Sequence, residues 1–171
     1  MWTGKGDQSV KTADGFSISD LRARPGFVGD VADRVWNAWW RSKGVPLEYI
    51  TGRVQENLVS TGIPLAIVAH HGDRFLGTAS LITSDMDERP QYSPWVAAVW
   101  VEPECRGEGV GSALVAAAAQ AAIGQGIEIV YLCASPANSP FYERMGWRRV
   151  ETGVGNLNIF SLPSTNGSAG R

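Results

Sequence analysis

The segment Arg106-Gly107-Glu108-Gly109-Val110-Gly111-Ser112 lies between an apolar run at residues 95–101 and an alanine-rich segment at residues 114–123. The order of these patterns predicts a strand, a glycine loop and a helix. The three glycines leave the backbone N–H groups of the loop accessible. The first turn of the helix adds unpaired N–H donors and the positive end of the helix dipole. The loop is therefore predicted to hold phosphate groups.

The spacing of these glycines excludes two familiar phosphate-binding loops. A Walker loop needs a Gly-Lys-Ser/Thr ending, but Val110 separates Gly109 from Gly111 and no lysine follows. The dinucleotide fingerprint G-x-G-x-x-G is not met either, because the glycines follow the pattern G-x-G-x-G. For the loop taken alone, a glycine-rich turn without a ligand is the alternative interpretation.

Two motifs together resemble a known family. The spacing Arg106-x-x-Gly109-x-Gly111 resembles the Arg/Gln-x-x-Gly-x-Gly/Ala signature of the GNAT superfamily of acyl-CoA-dependent N-acyltransferases. Downstream, Phe141-Tyr142-Glu143-Arg144-Met145-Gly146-Trp147 is similar to the family's aromatic-Tyr-x-x-x-Gly-aromatic element. The close resemblance covers residues 95–150, and the N-terminal half matches mainly in its order of elements. The fold class that this implies is α/β, a mixed and mostly antiparallel central sheet flanked by helices on both faces.

Composition restricts the organisation and the partners of the chain. Its 171 residues, 44% of them apolar, suit one domain, which we place at residues 16–162 between flexible tails at 1–15 and 163–171. A net charge of −2 with scattered basic residues disfavours nucleic acid. No apolar stretch approaches a membrane span or a signal peptide, so we expect a cytoplasmic protein that does not bind membranes. Two distant cysteines indicate reduced thiols and no metal site.

Hydrophobic periodicity predicts alternating sheet and helix segments that agree with this fold. In the first helix, tryptophans 36, 39 and 40 recur at helical spacing, which indicates core packing for most of them, with a substrate pocket as the alternative. The predicted strands are residues 16–24, 63–70, 74–83, 95–101, 127–133, 147–150 and 156–162, and the predicted helices are residues 29–44, 46–60, 110–123 and 140–145.

The family resemblance implies how acetyl-CoA, the expected co-substrate, is held. Loop residues 106–112 would bind the pyrophosphate through backbone N–H groups. The strand at residues 95–101 would separate from the strand at 127–133, and its backbone would pair with the pantetheine arm. Asn138 is a further candidate, although the family often has an asparagine where this chain has Ser135. The full set of predicted cofactor-binding residues is Val99, Trp100, Val101, Arg106, Gly107, Glu108, Gly109, Val110, Gly111, Ser112, Asn138 and Tyr142.

The resemblance also assigns a catalytic role to Tyr142, whose phenol would protonate the departing thiolate. A core aromatic whose hydroxyl meets a backbone partner is the alternative role for this tyrosine. The family often carries a glutamate as base on the central strand, but residues 95–101 contain no acidic residue. The base is therefore not identified, and the candidates are ordered water or the carboxylates of Asp85, Asp87, Glu88 and Glu102.

These observations predict an acetyl-CoA-dependent N-acetyltransferase that acts on a primary amine by direct attack in a ternary complex. The amine could belong to a small molecule, an amino acid or a peptide N-terminus. The alternative is an acyl-CoA-binding sensor or interaction module with weak or no catalysis. Acyl-chain preference and a homodimer through the sheet edge or the C-terminal strands stay open.

Overall fold

A computed structural model describes residues 10–11 and 15–165. These residues form one eight-stranded sheet with the order β1-β2-β3-β4-β5-β6-β8-β7. Neighbouring strands run antiparallel except for β5 and β6, which are parallel. The predicted fold class is confirmed. The elements are β1 (Val10–Lys11), β2 (Ser17–Asp20), α1 (Val28–Val35), α2 (Leu47–Val59), β3 (Leu65–His71), β4 (Arg74–Ile82), β5 (Trp95–Val101), α3 (Val110–Gly124), β6 (Ile129–Ala134), α4 (Ser139–Arg144), β7 (Arg148–Val154) and β8 (Leu157–Pro163).

Strand β3 shows how helices cover both faces of the sheet. Leu65, Ile67 and Ala69 join a core cluster that includes the buried residues of α3. Ala66 and Val68 point to the opposite face and pack with α1 and α2. Because both faces are covered, the strand is a continuous apolar run rather than an alternating one.

Helix α3 packs closely on the sheet because its inner face consists largely of small side chains. Ala118, Ala119 and Ala122 are each at most 1% exposed, next to the larger Leu114 and Val115. Neither α3 nor any other helix in the described ranges is both long enough and apolar enough to cross a lipid bilayer.

The ends of the chain differ in part from the prediction. Val10–Lys11, inside the predicted tail at residues 1–15, pairs with β2 as a short outer strand. Pro163, the first residue of the predicted C-terminal tail, still belongs to β8. The rest of both predicted tails falls mostly on residues 1–9, 12–14 and 166–171, which lie outside the described residues. Strand β2 ends at Asp20 rather than at residue 24, because the Asp20 carboxylate accepts the Arg22 N–H at 2.8 Å and turns the chain.

The tryptophan-rich helix departs most from its predicted pattern. After α1 the chain forms a π-helical turn over Trp36–Trp40 and a 3₁₀ turn over Arg41–Lys43. A π turn holds more residues than an α turn, so the side chains that follow are rotated away from the core. Trp39 and Trp40 are exposed, and Trp36 is half-buried with its indole N–H donated to the Val45 carbonyl at 2.6 Å. The prediction that most of these tryptophans pack in the core was therefore wrong for two of the three.

A β-bulge interrupts β5 where it pairs with β4. Ser80 lies opposite Ala97 and Thr78 opposite Trp100, so two residues of β5 face one residue of β4. Ala98, within the bulge, has a φ of +51°, a conformation that non-glycine residues seldom adopt. The opposite strand accommodates the bulge at Gly77, where an added Cβ would lie 2.6 Å from the Trp100 carbonyl oxygen.

The loop between β4 and β5 is fastened to β7 by an ion pair. Arg89 donates from Nε to both oxygens of Glu151, at 2.9 and 2.8 Å. This pairing, with a hydrogen bond from Tyr92, holds the pKa of Glu151 below its usual range. The pair therefore remains charged at neutral pH, and its contribution to stability is lost only as pH falls below about 4.3 through the lowered pKa of Glu151.

Gly77→Ala tests the close approach of β4 to the bulge. We expect the free energy of unfolding to fall by about 1–3 kcal/mol, because the new methyl group overlaps a backbone oxygen that cannot rotate away. Urea denaturation measures the change. The control is Gly29→Ala in α1, where a Cβ meets nothing within 4 Å and stability should hold or rise. Equal stability of the two variants would contradict the close approach.

Glu151→Gln tests the anchoring of the loop. Amide hydrogen exchange at pH 7 should become several-fold faster across residues 83–94, since the glutamine cannot accept the bidentate Arg89 pair in its charged form. Glu56→Gln, which removes an exposed pair with Arg53 on α2, is the matched control and should leave exchange in this loop unchanged. Unchanged exchange in Glu151→Gln would show that other contacts hold the loop.

Candidate functional site

Strands β5 and β6 separate almost as soon as they meet. Among the described residues they pair at one position, Trp95 opposite Tyr131, and the Tyr131 N–H bonds the Pro94 carbonyl at 3.0 Å. Beyond this point the edge of β5 that faces β6 has no strand partner in the described part of the chain. The predicted separation of the two strands is thus present. It leaves a wedge-shaped opening bordered by the rest of β5 and by Leu132 and Cys133 of β6.

The glycine loop lies at the far end of β5, where it begins α3. Gly107 and Gly109 have φ values of +80° and +84°, which favour glycine. Gly109 is the N-cap of α3 and provides no side-chain cap. The first helical hydrogen bond runs from the Ala113 N–H to the Gly109 carbonyl at 3.1 Å. The preceding N–H groups, those of Val110, Gly111 and Ser112, come before this bond and are available to an anion.

The glycine loop packs against both β5 and α4. A Cβ at Gly111 would lie 3.5 Å from Cγ2 of Val101 on β5 and 3.8 Å from Cζ of Phe141 on α4. The Arg106 guanidinium stacks on the Trp100 ring at 4.7 Å, and its Nε donates to the Val101 carbonyl at 3.0 Å. Arg106 therefore ties the loop to β5, which sequence spacing could not reveal. Glu108 is exposed at the surface.

Tyr142 of α4 lies beside the β6 border of the opening, because its ring packs on Phe160, which pairs with Leu132 of β6. Its ring is half-buried against Phe141 and Phe160 at centroid distances of 5.0 and 6.2 Å. The hydroxyl makes no hydrogen bond to any described residue, so the role of a core tyrosine tied to the backbone is not supported by these contacts. Burial, and secondarily the charge of a Cys133 thiolate, raises the pKa of Tyr142 above 10. The phenol is fully protonated at neutral pH and free to donate.

Asn138 sits where β6 leads into α4. It is exposed, its N–H bonds the Ser135 carbonyl at 3.1 Å, and its side chain does not cap the helix. The side-chain amide is thus exposed to solvent where β6 ends.

The four candidate base residues have different surroundings, which distinguish them from one another. Glu102 forms an ion pair with Arg34 of α1. Asp87 and Glu88 are exposed, and neither side chain bonds β5, β6 or α4 in the described residues. Asp85 accepts a hydrogen bond from the Cys133 thiol, with 3.3 Å between Sγ and Oδ2. Asp85 is thus joined to the strand that borders the opening.

Asp85 and Cys133 alter each other's protonation. Burial raises the pKa of Asp85, partly offset by the Cys133 hydrogen bond. Burial, the Asp85 charge and the hydrogen bond to it raise the pKa of Cys133 to about 12. The Asp85 side chain is nevertheless exposed to solvent. This is expected of a group that borders the opening and has protein on its other sides. At neutral pH the cysteine is a thiol that donates, and the aspartate is the acceptor.

Within the described ranges, no three His, Cys, Asp or Glu side chains are grouped so that they could hold a metal ion.

Solved structures share this architecture. A putative acetyltransferase from Salmonella typhimurium, solved with its cofactor acetyl-CoA, is 16% identical with a TM-score of 0.66, over 91% of this chain and 97% of that one. The PaiA N-acetyltransferase from Thermoplasma acidophilum, in complex with coenzyme A, is 18% identical with a TM-score of 0.58, over 87% and 99% of the chains. An aminoglycoside 6′-N-acetyltransferase complexed with coenzyme A is 15% identical with a TM-score of 0.66, over 85% and 96%. At these identities the likeness concerns the fold.

The family model of the acetyltransferase (GNAT) domain matches residues 64–149, half of the chain. The matched segment runs from β3 into β7 and contains the β5–β6 opening, the glycine loop and Tyr142. The sequence signatures, the separated parallel strands and the family match agree, and the chain belongs to the GNAT acetyltransferase family.

Proposed function

We propose that this protein transfers an acetyl group from acetyl-CoA to a primary amine by direct attack in a ternary complex. The observation that carries the proposal is the opening between β5 and β6, with free helical N–H donors at one end and the unpaired Tyr142 hydroxyl beside it. The acceptor class is a small molecule, an amino acid or a peptide N-terminus. Acyl transfer itself follows from the family.

The described residues offer polar partners that suit acetyl-CoA. The backbone N–H groups of residues 107–112 would hold the pyrophosphate, because no side chain at the three glycines obstructs them. The edge of β5 at Val99, Trp100 and Val101 has no strand partner on the β6 side among the described residues, and it would take the pantetheine amides as a further strand would. Asn138 would contact the same arm from the β6 side. That two of the solved relatives contain coenzyme A and one contains acetyl-CoA supports this assignment.

When bound, acetyl-CoA supplies an activated acetyl thioester. Tyr142 would donate its proton to the departing thiolate, which has a basicity similar to that of a phenolate. The raised pKa of Tyr142 keeps the proton in place through neutral pH. Val99 and Val101 would fix the position of the arm, so that the thioester lies near both the tyrosine and an incoming amine.

Direct attack is favoured over a covalent enzyme intermediate because the thiol nearest to the opening is inert. Cys133, with its pKa raised to about 12, is a thiol at neutral pH and not a nucleophilic thiolate. The other cysteine, Cys105, is buried and its pKa is also raised, mainly by burial.

The proposal is tested by titrating acetyl-CoA by calorimetry and then measuring thiol release with a panel of amines, amino acids and short peptides. Saturable binding with acceptor-dependent release supports the transferase. Binding without release for any acceptor would favour an acyl-CoA sensor, and absence of binding would contradict the role of the glycine loop.

Gly109→Val probes the loop. A β-branched side chain disfavours the left-handed conformation of residue 109 and displaces the N–H donors, so the Kd for coenzyme A should rise at least about tenfold. Calorimetry measures the change. Gly44→Val, which imposes similar strain at a φ of +74° beyond the site, is the matched control and should bind normally. Normal affinity of Gly109→Val would remove the loop from the binding site.

Tyr142→Phe probes the proton donor. We expect kcat to fall about 10- to 1000-fold while the affinity for acetyl-CoA stays nearly constant, because only the transition state uses the hydroxyl. Steady-state thiol release gives both quantities. Tyr49→Phe on the exposed surface of α2 serves as the control with unchanged kcat. A normal kcat in Tyr142→Phe would assign the proton transfer to water.

A further inference from the structure

The Asp85 carboxylate lies beside the point where β5 and β6 separate. It belongs to the loop that follows β4, and it accepts the Cys133 thiol hydrogen at 3.3 Å. Cys133 is two residues beyond Tyr131, the residue that makes the β5–β6 pair, and therefore borders the opening. Tyr131 and Cys133 pack with Trp95 in one cluster, so all three lie on the same face of the sheet. Asp85 is on that face.

Asp85 has no basic partner among the described residues, unlike several other acidic side chains of the sheet and its loops. Asp20, Glu102 and Glu151 each form an ion pair with an arginine. No lysine or arginine in the described residues lies within ion-pair distance of Asp85, and its Oδ1 accepts no hydrogen bond there. A carboxylate that borders the opening with no cation beside it is favourably placed for a cationic ligand.

The Asp85 carboxylate and Tyr142, the candidate acid, border the same β5–β6 opening. The Tyr142 ring packs on Phe160 at 6.2 Å, and Phe160 pairs with Leu132, the residue before Cys133 on β6. Cys133 thus lies between Asp85, which accepts its proton, and Tyr142, whose hydroxyl is unpaired. A proton acceptor and a proton donor with raised pKa values on either side of one cleft form a pair suited to general acid–base chemistry.

We infer that Asp85 is the residue that binds the acceptor ammonium and takes its proton, and that Cys133 positions the Asp85 carboxylate for this task. The inference rests on the proposed function and specifies its acceptor as a cationic primary amine. The carboxylate pairs with the ammonium on binding, which selects amines over alcohols and carboxylic acids.

The transfer balances with the groups named. Asp85 takes one proton from the ammonium, and the neutral nitrogen forms a C–N bond to the thioester carbonyl carbon. The C–S bond breaks and the sulfur takes the Tyr142 proton. The second proton of the nitrogen returns to the Tyr142 oxygen, directly or through water. The products are the amide, coenzyme A as a free thiol, and one proton that Asp85 releases to solvent.

Asp85→Asn tests the inference, with thiol release from acetyl-CoA measured against tyramine, benzylamine, lysine and trialanine. At pH 7 we expect kcat/KM to fall about 100-fold or more, with acetyl-CoA affinity and thermal stability unchanged. Between pH 7 and 9 the deficit should shrink to about tenfold or less, because the amine then loses its proton to solvent. The titratable group that contacts Asp85 among the described residues is Cys133, and Tyr142 lies beyond it. Asp87→Asn, in the same loop and exposed, is the control and should retain wild-type kcat/KM.

A second measurement checks the geometry without an acceptor. Removing the Asp85 charge lowers the pKa of Cys133, so alkylation of Cys133 by iodoacetamide at pH 9 should be several-fold faster in Asp85→Asn than in Asp87→Asn. Peptide mass spectrometry separates Cys133 from Cys105.

The outcomes separate the inference from the proposed function. Wild-type thiol release with an amine, together with equal activity of Asp85→Asn and Asp87→Asn across the pH range, would overturn the inference alone. A pH-independent deficit, or loss of acetyl-CoA binding in Asp85→Asn, would also overturn it, since both indicate a structural role. No release by the wild-type protein with any of the four amines would contradict the proposed function, and the inference with it.

Discussion

The separation of two parallel strands after a single pair is the constraint on which the rest of the site depends. Trp95 and Tyr131 hold β5 and β6 together at one end, and the bulge at Ala98 bends β5 just beyond them. Backbone groups without a partner in a sheet interior are costly unless a ligand or solvent pairs with them. The other side of β5 is paired to β4 before and after the bulge, and Gly77 lets the bulged strand approach.

The electrostatics of the opening change along its length. At the loop end, the N–H groups at the start of α3 present positive partial charge with no side chain competing for it. At the other end, Tyr142 and Cys133 are held protonated by burial, and the nearby carboxylate of Asp85 accepts the Cys133 hydrogen. An anionic group thus fits one end and a cationic group the other, which is the polarity that transfer from a phosphorylated carrier to an ammonium requires.

Local motifs explain which parts could be predicted from the sequence. The glycine loop, β5 and Tyr142 each depend on neighbouring residues, and the fold class followed from their order and the family resemblance. Two features of the structure could not be predicted in this way. The π turn after Val35 rotated Trp39 and Trp40 outward against an unbroken helical period. Asp85 could only be named among four carboxylates, because its contact with Cys133 spans 48 residues and no periodicity encodes it.

Strand β5 carries no acidic residue, which agrees with a base at Asp85 in the loop after β4. Within the bulge, Ala98 carries a methyl group that can neither accept nor donate a proton. A carboxylate has to come from another element, and the loop after β4 provides it from across the same face. A loop residue can act as precisely as a strand residue only if the loop is fixed. Arg89, in the same loop, pairs with Glu151 of β7 and so ties the loop to the outer edge of the sheet.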